Sequence, residues 1–149
     1  MKSFDTNIVV HAANQDSPLH LQATAFLEKT AREREVVVCE LMLVELFLKL
    51  CNARIFRRPM SPRQARNYCR ALRQNRNWQL IESAPVMEKV WTWPDQPNFA
   101  FRRVIDIRLG LTLRHYGVTD FATTNVKDFK NLEFSRVWNP LESTTSPQN

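Results

Sequence analysis

The stretch that decides the fold is the N-terminal run Met1-Lys2-Ser3-Phe4-Asp5-Thr6-Asn7-Ile8-Val9-Val10. Its strand-forming residues are Phe4, Ile8, Val9 and Val10. Such a short, nearly continuous apolar run is typical of a central strand buried on both faces of a parallel sheet. Because a carboxylate is costly to bury unless it is paired or binds a cation, we expect Asp5 at the carboxyl edge of this strand, facing a cleft. A plain Asp-Thr-Asn turn is the alternative.

Length and composition indicate one ordinary globular domain. A chain of 149 residues can bury a core without covalent staples. Its three cysteines, Cys39, Cys51 and Cys69, are too widely spaced for a Cys-x-x-Cys motif, and no signal segment precedes the first strand. We therefore expect no disulfides and a cytoplasmic location. No apolar run approaches the roughly 18 residues that cross a bilayer, so we expect no membrane association.

The excess of basic residues indicates what kind of partner the protein binds. The formal charge is +6 and the pI is about 9.7, which favours an acidic partner such as nucleic acid or an acidic protein. Between Arg54 and Arg76 there are eight arginines and no acidic residue. Four of them fall on one side of a predicted helix: Arg63, Arg66, Arg70 and Arg73. This stripe predicts an RNA-binding or acidic-partner surface, the alternative being an ordinary solvated face.

Strands and helices alternate along the chain. We predict further strands over 36–39, 78–81, 118–123 and 133–137, and helices over 18–33, 40–51, 62–75, 85–93, 99–116. Ser-Pro pairs begin two of the helices, and Gly117 ends the last one. This alternation predicts an α/β sandwich with a parallel sheet, whose ligands bind at the carboxyl ends of the strands. Residues 1–142 form the domain, and 143–149 have the composition of a disordered polar tail.

The helix after the second strand offers one candidate acid. Its predicted inner face consists of Leu41, Val44, Leu48 and Cys51, with Glu45 among them. Glu40 lies five residues before Glu45, about 140° around the helix, so the two glutamates cannot share a face. We therefore expect Glu45 to serve the site and Glu40 not to.

Two later segments add polar candidates. Asp106 adjoins the core stripe of the long helix, which we predict to comprise Phe101, Val104, Ile105, Leu109 and Leu113. Taken alone, Asp106 could form an ordinary helical ion pair with Arg102 or Arg103. Asn125 and Asp128 follow the fourth strand.

These segments can converge on one edge of one sheet. Asp5, Glu45, Asp106 and Asn125 would gather oxygen atoms that repel one another unless a hard divalent cation neutralised them. Mg²⁺ or Mn²⁺ fits such ligands and can activate water against a phosphodiester. The three histidines share no metal-site spacing, and with two glycines the chain has no Gly-rich phosphate loop. Trp91 and Trp93 are interpreted as core and loop anchors rather than as base-stacking platforms.

Four motifs in order resemble the PIN domain, and in particular the VapC-type toxins of toxin–antitoxin pairs. They are Phe4-Asp5-Thr6-Asn7, Glu40-Leu-Met-Leu-Val-Glu45-Leu, Arg103-Val-Ile-Asp106-Ile-Arg-Leu and Asp120-Phe-Ala-Thr-Thr-Asn125-Val-Lys-Asp128-Phe. The resemblance extends from Lys2 to Leu141, and the closing Val-Trp-Asn-Pro-Leu is similar to the ending of many such toxins.

The resemblance implies a PIN-like three-layer α/β/α sandwich with a central, mainly parallel sheet of four to five strands. It also implies a magnesium- or manganese-dependent endoribonuclease, dimeric, and held inactive by a cognate antitoxin protein. Asp5, Glu45 and Asp106 match the most constant acids of the family, and Asp5 and Asp106 are the expected metal ligands. Where many relatives carry a fourth acid this chain has Asn125, and Asp128 or Asp120 is the alternative for that position.

Two other functional classes compete with a nuclease. A haloacid-dehalogenase-type phosphatase also begins with Asp-x-Asp at a strand end, but the second position here is Asn7, which removes the general acid. A catalytically inert PIN-like module that binds nucleic acid is the stronger alternative, because Asn125 replaces a ligand carboxylate. Metal-dependent cleavage of RNA distinguishes the nuclease from this module.

Overall fold

Residues 1–142 of the chain are described by a computed structural model. Its strands are β1 Lys2–Phe4, β2 Val36–Cys39, β3 Trp78–Ile81, β4 Asp120–Ala122 and β5 Arg136–Trp138. Its helices are α1 Thr6–Ala13, α2 His20–Thr30, α3 Glu40–Leu50, α4 Pro62–Arg73, α5 Met87–Val90, α6 Arg103–His115 and α7 Val126–Phe129. None of these helices has both the length and the apolar character needed to cross a membrane. The predicted tail, 143–149, lies outside the described residues.

The five strands form one parallel sheet in the order β3-β2-β1-β4-β5. From β1 the chain adds β2 and then β3 on one side of β1. It then crosses back to β4 on the other side of β1 and continues outward to β5. Because such crossovers are right-handed, α1 to α4 cover one face of the sheet and α5 to α7 the other. The predicted α/β/α sandwich is confirmed. The direction of winding changes between β1 and β4, and the carboxyl ends of those strands are where α/β folds bind ligands.

Several local predictions hold. Strands β2 and β3 have the predicted bounds, and α4 begins at Pro62 as expected. Ser61 caps α4 in a reciprocal pair with Gln64: the Gln64 N–H donates to Ser61 Oγ at 3.2 Å, and the Ser61 N–H donates to Gln64 Oε1 at 2.9 Å. Gly117 has a φ of +85°, the left-handed conformation that ends α6.

The first strand is shorter than predicted. It ends at Phe4, and Ile8, Val9 and Val10 belong to helix α1 instead. Ile8 and Val9 are almost completely buried, so their apolar character reflects their position in the hydrophobic core and not membership of a strand. A short apolar run that is buried on all sides reads alike in a helix and in a strand, which is why periodicity misled the prediction. Asp5 follows β1 directly, so its predicted place at the end of that strand is confirmed.

The start of α2 also differs from the prediction. Ser17 does not cap a helix that begins at Pro18, because α2 begins at His20. The Ser17 hydroxyl instead accepts a hydrogen bond from the Leu19 N–H at 3.1 Å and lies 2.7 Å from His11 Nδ1. The Ser-Pro pair thus belongs to the turn between α1 and α2.

The inner face of α3 was predicted with the wrong phase. Its buried residues are Met42, Leu43, Leu46 and Leu50. Val44 and Leu48 are 61% and 63% exposed. Because α3 carries apolar residues around most of its circumference, the sequence pattern fits two opposite faces. Glu45 lies at the border of the buried face, with its side chain 29% exposed.

Helices on the other face of the sheet are shorter than predicted. Helix α5 is a single turn and α6 begins at Arg103, since the prolines and turn residues between them interrupt the predicted helices. Leu109 and Leu113 are buried as predicted, but Phe101 and Ile105 are exposed. Strands β4 and β5 lie within or next to the predicted ranges, and β5 ends one residue later, at Trp138.

Candidate active site

Asp5 is a buried carboxylate at the carboxyl end of β1. It is only 4% exposed, and its N–H donates to the Ala122 carbonyl of the neighbouring strand β4 at 2.8 Å. Burial raises the pKa of Asp5 above its ordinary value, and the charge of Glu45 adds to this effect. Hydrogen bonds and a nearby lysine act in the opposite direction but do not outweigh burial. The predicted position of Asp5 at the sheet edge is therefore occupied by a carboxylate that is costly to ionise.

Thr123 orients this carboxylate. The completely buried Thr123 hydroxyl donates to Asp5 Oδ2 at 2.8 Å and accepts from the Asn125 N–H at 3.0 Å. The Thr6 hydroxyl donates to the other oxygen, Asp5 Oδ1, at 3.2 Å. Sequence analysis did not single out Thr123, although a threonine directly after a strand that ends beside Asp5 was the available signal.

The two glutamates of α3 have separate surroundings, as predicted. Glu40 pairs with Arg73 of α4, with Oε1 and Nε 2.6 Å apart. Glu45 contacts Lys49 one turn later, with Oε1 and Nζ 2.9 Å apart, and its charge raises the pKa of both Asp5 and Asp106. Glu45 is therefore the glutamate that belongs to the acidic cluster. Lys49 is a second residue that sequence analysis missed.

Asp106 lies in the first turn of α6, where the other carboxylates repel its negative charge. Burial raises its pKa to about 6, and the charges of Asp5, Glu45 and Asp128 contribute to that rise. Neither Arg102 nor Arg103 pairs with Asp106, and across residues 1–142 no lysine or arginine forms a salt bridge with it. The simple helical ion pair that was the alternative interpretation is therefore not formed.

The segment after β4 contributes Asp128 to the cluster. Arg103 Nε lies 3.9 Å from Asp128 Oδ1, and the same guanidinium donates to the Asp128 carbonyl at 3.3 Å. Asn125 is exposed at the start of α7, and its side chain does not cap that helix. Asp120 lies at the opposite end of β4, where it is in register with Lys2 at the start of β1. Its carboxylate forms a salt bridge with Arg136. Asp120 is thus outside the cluster.

Other singled-out residues lie away from this edge or on the surface. The four arginines of the predicted stripe on α4 are all exposed, and Arg73 is the one that pairs with Glu40. His11 bonds to Ser17, and burial lowers its pKa. Trp93 is half-buried under the Arg103 guanidinium, whereas Trp91 is 61% exposed and anchors no core. Cys39, Cys51 and Cys69 are free thiols, as predicted.

The oxygen atoms of the clustered acidic side chains are suitable ligands for a hard divalent cation, although these side chains do not meet at one point. Every acidic member offers oxygen, the ligand that Mg²⁺ and Mn²⁺ prefer. Burial first, and then repulsion from the neighbouring carboxylates, raises the pKa of Asp106, and a cation would relieve both effects. Within the described part of the chain, no three His, Cys, Asp or Glu side chains converge closely enough to hold a metal ion. These residues therefore form a set of separate oxygen donors and not a preformed metal cage.

The raised pKa of Asp106 predicts how metal-free stability depends on pH. Between pH 4 and pH 6 the folded protein keeps a proton on Asp106 that the unfolded chain has lost, so stability falls as pH rises through this range and stays lower above it. Asp106→Asn removes this loss. Because the carboxyl group is partly exposed, screening limits the gain at pH 7 to about 1 kcal/mol.

Urea unfolding in EDTA at pH 4.5 and pH 7 measures the effect. The variant should exceed wild type by a smaller margin at pH 4.5 than at pH 7. Asp95→Asn, at the exposed end of the short 3-10 helix Trp93–Asp95, is the control. Equal unfolding free energies for wild type and Asp106→Asn at both pH values would contradict the assignment.

Comparisons with known proteins place this geometry in a family. No protein-family model matches the chain. The chain is 48% identical over 143 residues to ribonuclease VapC24 of Mycobacterium tuberculosis, in strains CDC 1551 / Oshkosh and ATCC 25618 / H37Rv alike. That alignment covers 96% of this chain and 99% of VapC24.

Solved structures share the fold at low sequence identity. One is VapC20 of M. tuberculosis, described as a sarcin-ricin loop cleaving toxin, with a TM-score of 0.57, 17% identity and coverage of 81% of this chain and 87% of that chain. Another is FitAcB from Neisseria gonorrhoeae, with a TM-score of 0.61, 15% identity and coverage of 96% and 100%. FitAB bound to the IR36 DNA fragment has a TM-score of 0.61, 12% identity and coverage of 96% and 97%. Since a relative at 48% identity spans nearly the whole chain, this protein belongs to the VapC family of PIN-domain ribonuclease toxins, the family that its motifs predict.

Proposed function

We propose that this chain is a metal-dependent endoribonuclease in which Asp5, Glu45 and Asp106 hold the metal ion. The observation that carries the proposal is the cluster of carboxylates at the carboxyl ends of β1 and β4, where burial and mutual repulsion raise the pKa of Asp106 to about 6. As a VapC protein, the chain is a ribonuclease and the toxin of a toxin–antitoxin pair. It acts on RNA in the cytoplasm, where its free thiols stay reduced.

Asp5 and Asp106 are the primary ligands in this proposal. Asn125 completes the site as a neutral fourth member, and Asp128 is the alternative. Ribonucleases of this family generally depend on a divalent metal ion, and the oxygen-only ligands favour Mg²⁺ or Mn²⁺. Held by Asp5 and Asp106, such an ion would supply Lewis-acid activation of water for attack on phosphorus.

The chain supplies orientation and charge. Thr123 and Thr6 fix the two oxygens of Asp5, so that this carboxylate cannot turn away from the sheet edge. Asp106 stands on the first turn of α6. Asn125 precedes α7, and its amide offers both a donor and an acceptor for a water molecule or a phosphate oxygen. The inert-module alternative is disfavoured, because a protein without chemistry gains nothing from burying Asp5 among other carboxylates.

Glu45 and Glu40 provide a matched test of the site. Glu45→Gln should reduce the rate of metal-dependent RNA cleavage about 100-fold or more, since it replaces an anionic ligand by a neutral amide. Glu40→Gln breaks only the exposed pair with Arg73, so its rate should stay within about threefold of wild type. Single-turnover cleavage of a labelled RNA, with Mg²⁺ or with EDTA, measures both.

The outcomes separate the candidate functions. Equal losses of cleavage rate in Glu45→Gln and Glu40→Gln would show that cleavage depends on the integrity of α3 and not on the acidic cluster. Cleavage by wild type that persists in EDTA would exclude metal dependence, and absence of cleavage with any divalent ion would favour the inert nucleic-acid-binding module.

The arginine stripe of α4 is the proposed RNA-binding surface. Its members, Arg63, Arg66, Arg70 and Arg73, are all exposed and carry charge beyond what α4 needs for folding. Arg63 and Arg70 form no salt bridge within the described residues. These two guanidinium groups are therefore available for phosphates.

Reversing both charges should weaken RNA binding in a salt-dependent manner. In the Glu45→Gln background, Arg63→Glu with Arg70→Glu should lower affinity for single-stranded RNA about tenfold and reduce the salt slope by roughly 1.4, since each lost phosphate contact contributes about 0.7. The control changes the same charge elsewhere: Arg32→Glu with Arg34→Glu, both exposed near the amino end of β2. Fluorescence anisotropy between 50 and 300 mM salt measures both. Equal losses in the two double variants would contradict a specific surface.

A cognate antitoxin and a second copy of this chain are the proposed protein partners. The relatives include FitAB, a two-part assembly seen bound to a DNA fragment. This chain exposes an apolar groove between α3 and α6, and its exposed members are Val44, Leu48, Trp91 and Ile105, each 61% to 63% accessible. Monomeric proteins seldom expose such a contiguous patch, and a two-fold axis through it would bury the patch of both copies. We therefore propose a homodimer through this groove.

Leu48→Glu should dissociate the dimer, because it places a charge in the middle of the groove. Light scattering should give twice the 17.5 kDa chain mass for wild type and a single chain mass for the variant. Leu21→Glu changes a leucine of α2 that is 78% exposed outside the groove and should remain dimeric. A wild-type monomer, or a dimeric Leu48→Glu, would refute this interface.

A further inference from the structure

Lys49 places a fixed positive charge inside the acidic cluster. Its Nζ lies 2.9 Å from Glu45 Oε1, 2.8 Å from Asn7 Oδ1 and 3.4 Å from Thr6 Oγ1. An ammonium group has three N–H donors, and these three acceptors occupy all of them. Glu45 belongs to α3, whereas Thr6 and Asn7 belong to α1, so Lys49 joins two helices at the sheet edge.

The surroundings of Lys49 differ from those of an ordinary helical ion pair. A pair between residues four apart on an exposed helix contributes a few tenths of a kcal/mol and is readily broken. The Lys49 side chain is only 25% exposed, and its charge lowers the pKa of both Asp5 and Asp106, two carboxylates on other elements. Thr6 extends the connection, because its hydroxyl accepts from Lys49 and donates to Asp5. The ammonium therefore acts on three carboxylates of the cluster: it contacts Glu45 and offsets part of the raised pKa of Asp5 and Asp106.

The oxygens that hold Lys49 resemble a ligand set for a hard cation. One carboxylate, one amide and one hydroxyl oxygen surround Nζ, and all three are oxygen ligands of the kind that Mg²⁺ or Mn²⁺ accepts. In residues 1–142 no three acidic side chains converge on a common point, and Glu45 is the acid that Lys49 engages. Lys49 therefore already occupies Glu45 Oε1, an oxygen for which a metal ion would have to compete.

We propose that Lys49 is a built-in counter-ion of the acidic site: it holds Glu45 in the metal-free protein and competes with the divalent cation for that carboxylate. The inference rests on the proposed metal-dependent function and adds a residue that regulates metal loading. Lys49 keeps the metal-free cluster folded, and the exchange of one cation for the other sets how much free metal ion the nuclease requires.

Metal binding without RNA tests this role directly. Lys49→Gln keeps a polar side chain but removes the charge, so Mn²⁺ should bind about tenfold more tightly, as judged by isothermal titration calorimetry. The melting temperature in EDTA should fall, because the carboxylates lose their counter-ion, and the stabilisation by Mn²⁺ should grow. Lys49→Arg retains the charge and should stay within about threefold of wild type in Mn²⁺ affinity.

A control and the opposing results complete the test. Lys29→Gln removes an exposed lysine of α2 and should change neither Mn²⁺ affinity nor the melting temperature in EDTA. Unchanged or weaker Mn²⁺ binding by Lys49→Gln, while wild type binds Mn²⁺, would overturn the counter-ion role alone. Absence of Mn²⁺ binding by wild type would overturn the proposed metal-dependent function together with this inference. If Lys49→Gln fails to fold, Mn²⁺ affinity is compared between Lys49→Met, which lacks the positive charge, and Lys49→Arg, which keeps it.

Discussion

The buried carboxylate of Asp5 is the constraint on which the rest of the structure depends. It sits where β1 ends beside β4, the two neighbouring strands from which the chain winds in opposite directions. Thr123 and Thr6 satisfy its oxygens, but they are neutral and do not remove the cost of burying a charge, so the pKa of Asp5 stays raised. A carboxylate in this state stabilises the protein only when a cation shares it.

The neighbouring acids reach the same edge from separate elements and with separate counter-ions. Glu45 comes from α3 and contacts Lys49, Asp128 comes from α7 and faces Arg103, and Asp106 comes from α6 without a salt bridge among the described residues. Helices on both faces of the sheet thus supply one cluster, in which positive side chains compensate part of the charge. In the function we propose, a site of this kind trades stability for the ability to bind a metal ion.

Much of this arrangement could be predicted from the sequence, because the order of the motifs is specific even where each motif is weak. The parallel α/β fold and the sheet-edge position of Asp5 followed from the strand ends. The separation of Glu45 from Glu40 followed from their five-residue spacing, although the predicted inner face of α3 was wrong. The strand assigned to Ile8–Val10 was wrong because complete burial removes the periodicity that separates helix from strand. The α3 face was wrong because Leu48 and Leu46 are equally apolar, and local sequence does not say which one meets the core. The roles of Thr123 and Lys49 depend on contacts between distant segments, which spacing along the chain does not encode.

The most direct test of the account is to locate the metal ion. A crystal grown with Mn²⁺ in place of Mg²⁺ should show an anomalous-scattering peak at the carboxyl ends of β1 and β4, about 2 to 2.3 Å from carboxylate oxygens of Asp5 and Asp106. Glu45 should then have turned from Lys49 toward the ion. A crystal saturated with Mn²⁺ that shows no peak at this edge, or a peak only at other residues while RNA cleavage remains metal-dependent, would contradict the central claim that these carboxylates form the catalytic metal site.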